Sequence, residues 1–230
     1  MLKRLLNYFS KTEIVLWCTS TALIIASFIC FDRESYLTLT ASLIGVTSLI
    51  FNAKGNPAGQ LLMVVFSLLY AVISYEFTYY GEMITYLGMT APMAVLAFIM
   101  WLKNPYKGKK SEVAVNSLKI KEIIFMLALT TLVTFIFYFI LAHFNTANII
   151  PSTVSVATSF AAVYLTFRRS AYYAVAYAAN DVVLIILWIL AAFDNTAYIS
   201  VIICFVVFLI NDLYGFVSWK KMQKRQHNRY

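Results

Sequence analysis

The chain has 230 residues, 62% hydrophobic and only 12% charged, with a mean hydropathy of +0.78. A soluble globular domain is excluded as the main body of such a protein. The net charge of +8 sits in short loops and at the termini rather than on one face, so it points to membrane topology and no nucleic acid is expected as a partner.

A helix needs about 20 mostly apolar residues to cross the hydrocarbon core. Apolar runs between polar breaks predict spans at 13–31, 36–51, 59–80, 82–102, 121–143, 149–167, 172–192 and 197–219. The first span is longer than a signal-peptide core and lacks an A-x-A site, so it is expected to be retained. The turn from Asn52 to Gly59 leads into the third span, which Gln60 opens as a candidate cap or a partner for the second half of the chain. Only Gly81 and Glu82 separate the third span from the fourth, and Glu76 and Glu82 read as solvated caps. Pro92, with Gly88 one turn earlier, falls mid-span, where a proline removes a hydrogen bond and bends the helix. That bend is a candidate hinge or a static kink. Trp101 and Trp219 close their spans and read as interfacial anchors. The loop 103–120 is polar and basic, expected as a solvated connector that touches lipid headgroups.

The chemistry gathers in the last two spans. Asp181 lies about one residue from the centre of the seventh, where a carboxylate costs roughly 2.5–3.5 kcal/mol to insert and needs a polar cavity or a partner. Helical spacing puts Tyr177 and Trp188 on the same face, a phenol, a carboxylate and an indole that suit a cationic aromatic ligand. The dipeptide Asn180-Asp181 recurs as Asn211-Asp212 in the eighth span, with Tyr214 beside it. These residues are the candidate substrate site, together with Gln60; a structural hydrogen bond between helices is the competing reading of Asp181. Cys18, Cys30 and Cys204 lie in or at the ends of apolar runs without metal-ligand spacing and read as packing residues. Neither His143 nor His227 has a ligand cluster, and no phosphate loop or nucleophile elbow is present, so neither an enzyme nor a cofactor is expected.

With eight spans and both termini cytoplasmic, every Lys and Arg except Arg33 falls on the inner side, while Asp194 falls in the last external turn. An offset of 118 places Trp101 on Trp219, Lys103 on Lys221, Phe98 on Phe216, Tyr80 on Tyr198, Thr78 on Thr196, Glu76 on Asp194 and Tyr70 on Trp188. The predicted spans then fall into two three-helix units. Because three is odd, one extra crossing, 121–143, makes the units parallel. The expected fold is an all-α integral membrane protein: residues 1–35 with a leading helix, a first repeat at 36–102, a loop and linker helix at 103–148, a second repeat at 149–219 and a basic tail at 220–230. The site is expected between the repeats, with its polar residues loaded onto the second.

The runs from Tyr79 to Gly108, from Tyr164 to Trp188 and from Val207 to Met222 resemble the PnuC-type nicotinamide riboside transporters, often labelled nicotinamide mononucleotide transporters. The resemblance implies a SWEET-like fold, a bacterial inner membrane, and facilitated diffusion with the imported nucleoside trapped by phosphorylation. Many members carry W-x-x-W-x-x-x-N in the seventh span; here Ala174, Tyr177 and Asp181 take those positions, which leaves the substrate open among nicotinamide riboside, thiamine, riboflavin and deoxynucleosides. A fixed pyridinium favours the first of these beside a carboxylate, although thiamine is cationic too. The expected partners are a small-molecule nucleoside or vitamin and the lipid bilayer, and a homo-oligomer is compatible with such a chain. A non-transporting receptor or assembly subunit is the competing class, but it would not need two Asn-Asp pairs in mid-membrane.

Overall fold

A computed structural model describes residues 8–76, 79–146, 148–193 and 195–228. Of the positions used above for topology and repeat, Lys3, Arg4, Thr78, Asp194 and Arg229 lie outside the described residues. Among the described residues, eight helices are long and apolar enough to cross a membrane: α1 Lys11–Phe31, α2 Tyr36–Ala53, α3 Ala58–Glu76, α4 Tyr80–Lys103, α5 Ile120–His143, α6 Ile149–Phe167, α7 Tyr173–Ala192 and, after a short 3₁₀ turn at Thr196–Tyr198, α8 Ile199–His227. The third helix is seen to Glu76 among the described residues, and α8 runs on to His227, carrying much of the basic tail as helix.

Local chemistry sets several of these boundaries. Ser10 caps α1 through a capping box with Glu13. α2 and α6 end in matching turns. The residue after the last helical turn takes a left-handed backbone, Gly55 at φ +66 and Arg169 at φ +58. The next amide closes the turn, Asn56 onto the Phe51 carbonyl and Ser170 onto that of Leu165. In α4 a π-turn at Tyr86–Thr90 precedes Pro92, with the Ala91 amide donating to the Tyr86 carbonyl. Pro92 offers no N–H to the Gly88 carbonyl and its ring crowds that group, which accounts for the widened turn.

The helices pack in a reciprocal pattern. α2 lies on α3, α3 on α4, α6 on α7 and α7 on α8; across the molecule α8 lies on α2 and α4 lies on α6. Gly45 permits the first of these crossings, because a Cβ there would meet Phe208 Cζ at 2.3 Å. α1 covers α2 and α8 from outside, and α5 lies against α6. α5 has only Met126 and Leu141 buried among its residues, so its apolar surface faces outward as a lipid-facing helix requires.

The loop between α4 and α5 departs from expectation. It folds into a two-stranded hairpin, β1 Pro105–Tyr106 with β2 Lys109–Val113, and Val113 is fully buried. The Val113 amide donates to the Gly55 carbonyl and the Asn116 amide to that of Arg169, each at 2.9 Å. Gln226 of α8 completes the attachment, donating to Glu112 Oε1 and the Val113 carbonyl and accepting from the Val115 amide. The loop is therefore a strap over the basic end of the bundle, not simply a solvated connector, because its backbone satisfies the carbonyls that the turns after α2 and α6 leave free.

Candidate functional site

Asp181 and Asp212 come together from α7 and α8. Both are 4% exposed, and their carboxyl groups lie in hydrogen-bonding contact. Two carboxylates in contact repel unless a proton or a cation stands between them. Asp181 Oδ2 receives no N–H or O–H donor among the described residues. The Tyr173 and Tyr177 phenols lie near Asp212, and the Tyr86 phenol near Asp181.

Asn180, one residue earlier, turns toward α6. Its Oδ1 gathers the hydroxyls of Thr158 at 2.8 Å, Ser159 at 2.9 Å and Ser155 at 3.4 Å. Ser152, Ser155 and Ser159 are buried at helical spacing, a small polar stripe that lets α7 approach closely and bond to it. The Ser155 hydroxyl also reaches the Glu82 carboxylate of α4. A polar line thus runs across the bundle from Glu82 through Ser155 to Asn180, with the two aspartates beside it.

Glu82 corrects a sequence expectation. It is 1% exposed rather than a solvated cap, and its Oε2 has no hydrogen-bond partner among the described residues. The end of α5 and Thr146 lie over it: a Cβ on the adjoining Gly81 would stand 2.7 Å from both Leu141 and Thr146. Glu76 is exposed, as a cap would be.

An aromatic group surrounds this line on the side away from the strap. Trp188 is fully buried and donates its indole N–H to the Tyr70 hydroxyl at 2.7 Å. Tyr79 lies 4.9 Å from the Trp188 ring, Tyr198 5.4 Å from it, and Tyr86 4.4 Å from Tyr70. Tyr70, Tyr79, Tyr86 and Glu82 come from the first half of the chain, and none was expected in the site. For Tyr70 a signal existed, since the 118-residue offset places it on Trp188.

The other expected site residues divide. Tyr177 is half-buried, on the side of α7 near both aspartates, and meets Tyr173 edge-on at 6.1 Å. Asn211 turns away from them, donating to Ser20 Oγ of α1 at 2.9 Å and to the Val207 carbonyl. Tyr214 likewise reaches Glu13 of α1, at 3.3 Å. Both stand away from Asp212 on α8, because at about 100° per residue Asn211 is turned from it by one step and Tyr214 by two. Gln60 neither caps α3 nor meets the second half: it donates to Asn52 Oδ1 of α2 at 2.8 Å, and the start of α3 is capped by Asn56 Oδ1 at the Ala58 amide. Pro92 and Gly88 face outward, with the π-turn between them carrying Tyr86 and Met89 inward.

Trp101 and Trp219 are a second correction. Both are buried, not interfacial, and their rings meet at 5.3 Å. Trp101 donates to the Thr166 carbonyl near the end of α6 at 2.9 Å, and Trp219 to the Asn52 carbonyl near the end of α2 at 2.7 Å. Each indole satisfies a helix-end carbonyl in the opposite half, beneath the strap. With Tyr70 and Trp188 joined at one end and Trp101 and Trp219 at the other, the polar line is closed at both.

The family described as nicotinamide mononucleotide transporter matches residues 35–221. The nicotinamide riboside transporter PnuC of Neisseria mucosa is 28% identical over 199 residues, covering 85% of this chain and 76% of that protein. The protein of the same name from Haemophilus influenzae is 23% identical, covering 84% and 82%. The crystal structure of a vitamin B3 transporter PnuC superposes with a TM-score of 0.84 at 26% identity, over 95% of this chain and 94% of that one.

Proposed function

We propose that this chain, which belongs to the nicotinamide mononucleotide transporter family, carries nicotinamide riboside across a bacterial inner membrane by facilitated diffusion, with phosphorylation inside the cell retaining the product. The observation that carries the reading is the Asp181–Asp212 contact amid aromatic rings. A paired, buried carboxyl site is relieved by a proton or by a cation, and the pyridinium of nicotinamide riboside is a fixed cation. A cation over an aromatic face gains about 0.5–2 kcal/mol, and the carboxylates add charge attraction. The ribose hydroxyls supply donors for the unpartnered oxygens Asp181 Oδ2 and Glu82 Oε2. In this reading Asp181, Asp212, Tyr177, Trp188, Tyr86 and Glu82 face the substrate, while Asn180 positions Asp181 by tying α7 to α6.

The proposed transport unit is the pair of three-helix repeats, α2–α4 and α6–α8, related as parallel copies through the linker helix α5. The reciprocal packing of α8 on α2 and α4 on α6 supports it, as do the reciprocal indole bonds of Trp101 and Trp219. The strap and both termini are assigned to the cytoplasm from the distribution of Lys and Arg. Alternating access then means opening the Tyr70–Trp188 end outward and the Trp101–Trp219 end inward, in turn.

Another cationic vitamin such as thiamine is the second reading, favoured by Ala174, which is fully buried where the resembling transporters carry a tryptophan. Titrating purified protein with nicotinamide riboside, thiamine, riboflavin and deoxynucleosides tests both: saturable binding of the first alone supports the main reading, and of thiamine alone the second.

A further inference from the structure

The basic end holds a cavity that the transport path does not use. It measures about 390 Å³ and lies between the start of α1, the turn after α2, strand β2 and the last turns of α8. Among the described residues six charged side chains line it: Glu13, Lys54, Lys109, Glu112, Lys221 and Arg225. Two ion pairs account for four of them. Lys54 Nζ lies 3.0 Å from Glu13 Oε2, and Arg225 bonds Glu112. Lys109 of β2 and Lys221 of α8 have no carboxylate partner among the described residues. The lining therefore carries two more positive charges than negative, presented from separate elements to one concavity.

We propose that this cavity is a binding site for a phosphate group, of a free phosphate compound or of a lipid headgroup, and that its occupancy fastens the strap to α8. Two ammonium groups facing one cavity repel, and an anion between them reverses the sign of that interaction. A phosphate presents at least two charged oxygens in different directions, so it bonds Lys109, Lys221 and the Arg225 guanidinium at once, as a single carboxylate does not. The volume falls in the range of ordinary small-ligand pockets, roughly 300–1,000 Å³. The consequence follows from the strap: β2 is joined through Val113 to the turn after α2, and its continuation through Asn116 to the turn after α6. An anion that ties β2 to α8 holds both turns in the arrangement seen, and the basic end stays closed.

Hydrogen exchange of the whole protein tests this, read at residues 109–113 and 218–225. One arm uses protein in neutral detergent with inorganic phosphate against chloride at equal ionic strength. The other uses nanodiscs of phosphatidylcholine alone against phosphatidylcholine with phosphatidic acid. Slower exchange of both segments is expected with phosphate, with phosphatidic acid, or with both; the arm that responds identifies the source. Lys109→Ala with Lys221→Ala should weaken the response about tenfold. Both side chains are exposed, and an unchanged melting temperature checks that the variant is folded. No slowing in either arm, or the same slowing in the folded double variant, overturns the proposal.

Discussion

The indole N–H of Trp188 donates to the hydroxyl of Tyr70 at 2.7 Å, and the two residues stand 118 positions apart in the chain. That separation is the offset at which the two halves of the sequence match, so equivalent positions meet face to face at the end of the bundle away from the strap. Tyr70→Phe removes the acceptor. It should lower stability by about 0.5–1.5 kcal/mol, and Trp188→Phe by more, since a large buried ring is reduced as well. The double variant should cost less than the sum, by about 1 kcal/mol of coupling. Thermal unfolding in detergent measures all three, and strict additivity would show that the contact contributes nothing.

Trp101 and Trp219 make the corresponding test at the basic end. Each indole bonds a helix-end carbonyl in the opposite half, at 2.9 and 2.7 Å. Trp101→Phe and Trp219→Phe are expected to destabilise by similar amounts, about 1–3 kcal/mol, because each leaves one buried carbonyl unpaired. Both should also raise the accessibility of a reporter cysteine at Ser170 to a water-soluble maleimide. Unequal costs with no change in accessibility would assign the pair to local packing alone.

The carboxyl pair yields a sharper expectation. Asp181→Asn keeps shape and removes charge, so affinity for a cationic nicotinamide or thiazolium ligand should fall at least tenfold, about 1.4 kcal/mol, with folding intact. Asp212→Asn relieves the contact between two carboxyls yet leaves Asp181, so it should weaken binding less. Isothermal titration separates them. A lower melting temperature with unchanged affinity in Asp181→Asn would move Asp181 from the site to the scaffold.

The strap gives the topology a direct probe. Ser117 is exposed beside it, and Ser117→Cys in a cysteine-free background should react with an impermeant maleimide in inside-out vesicles and not in intact cells. Labelling from outside would invert the assignment of the termini.

Eight spans were legible because lipid demands a long apolar run for each crossing, and hydropathy reads such runs directly. The burial of Asp181 was legible for the same reason, as a charge in the middle of an apolar run. Glu82 was not: two residues past the start of α4 a carboxylate reads as a cap, and only the lie of α5 and Thr146 over Gly81 buries it. Trp101 and Trp219 sit where aromatic belts form, and nothing local reveals that each reaches a carbonyl in the other half. Asn211 and Tyr214 were assigned by closeness to Asp212 in sequence, but one and two residues along a helix turn by about 100° and about 200°, and α1 claims their face. The strap is legible only as polar and basic, since its fold depends on carbonyls contributed by α2 and α6.

Counterflow in proteoliposomes tests the central assignment most directly. Vesicles loaded with unlabelled nicotinamide riboside, without any ion gradient, should accumulate external labelled nicotinamide riboside transiently and saturably. The uncharged dihydro form, nearly equal in shape, should compete at least tenfold less well if the carboxyl pair recognises the cation. No counterflow with nicotinamide riboside, or uptake that appears only when a proton or sodium gradient is imposed, would contradict facilitated diffusion of this nucleoside by the chain.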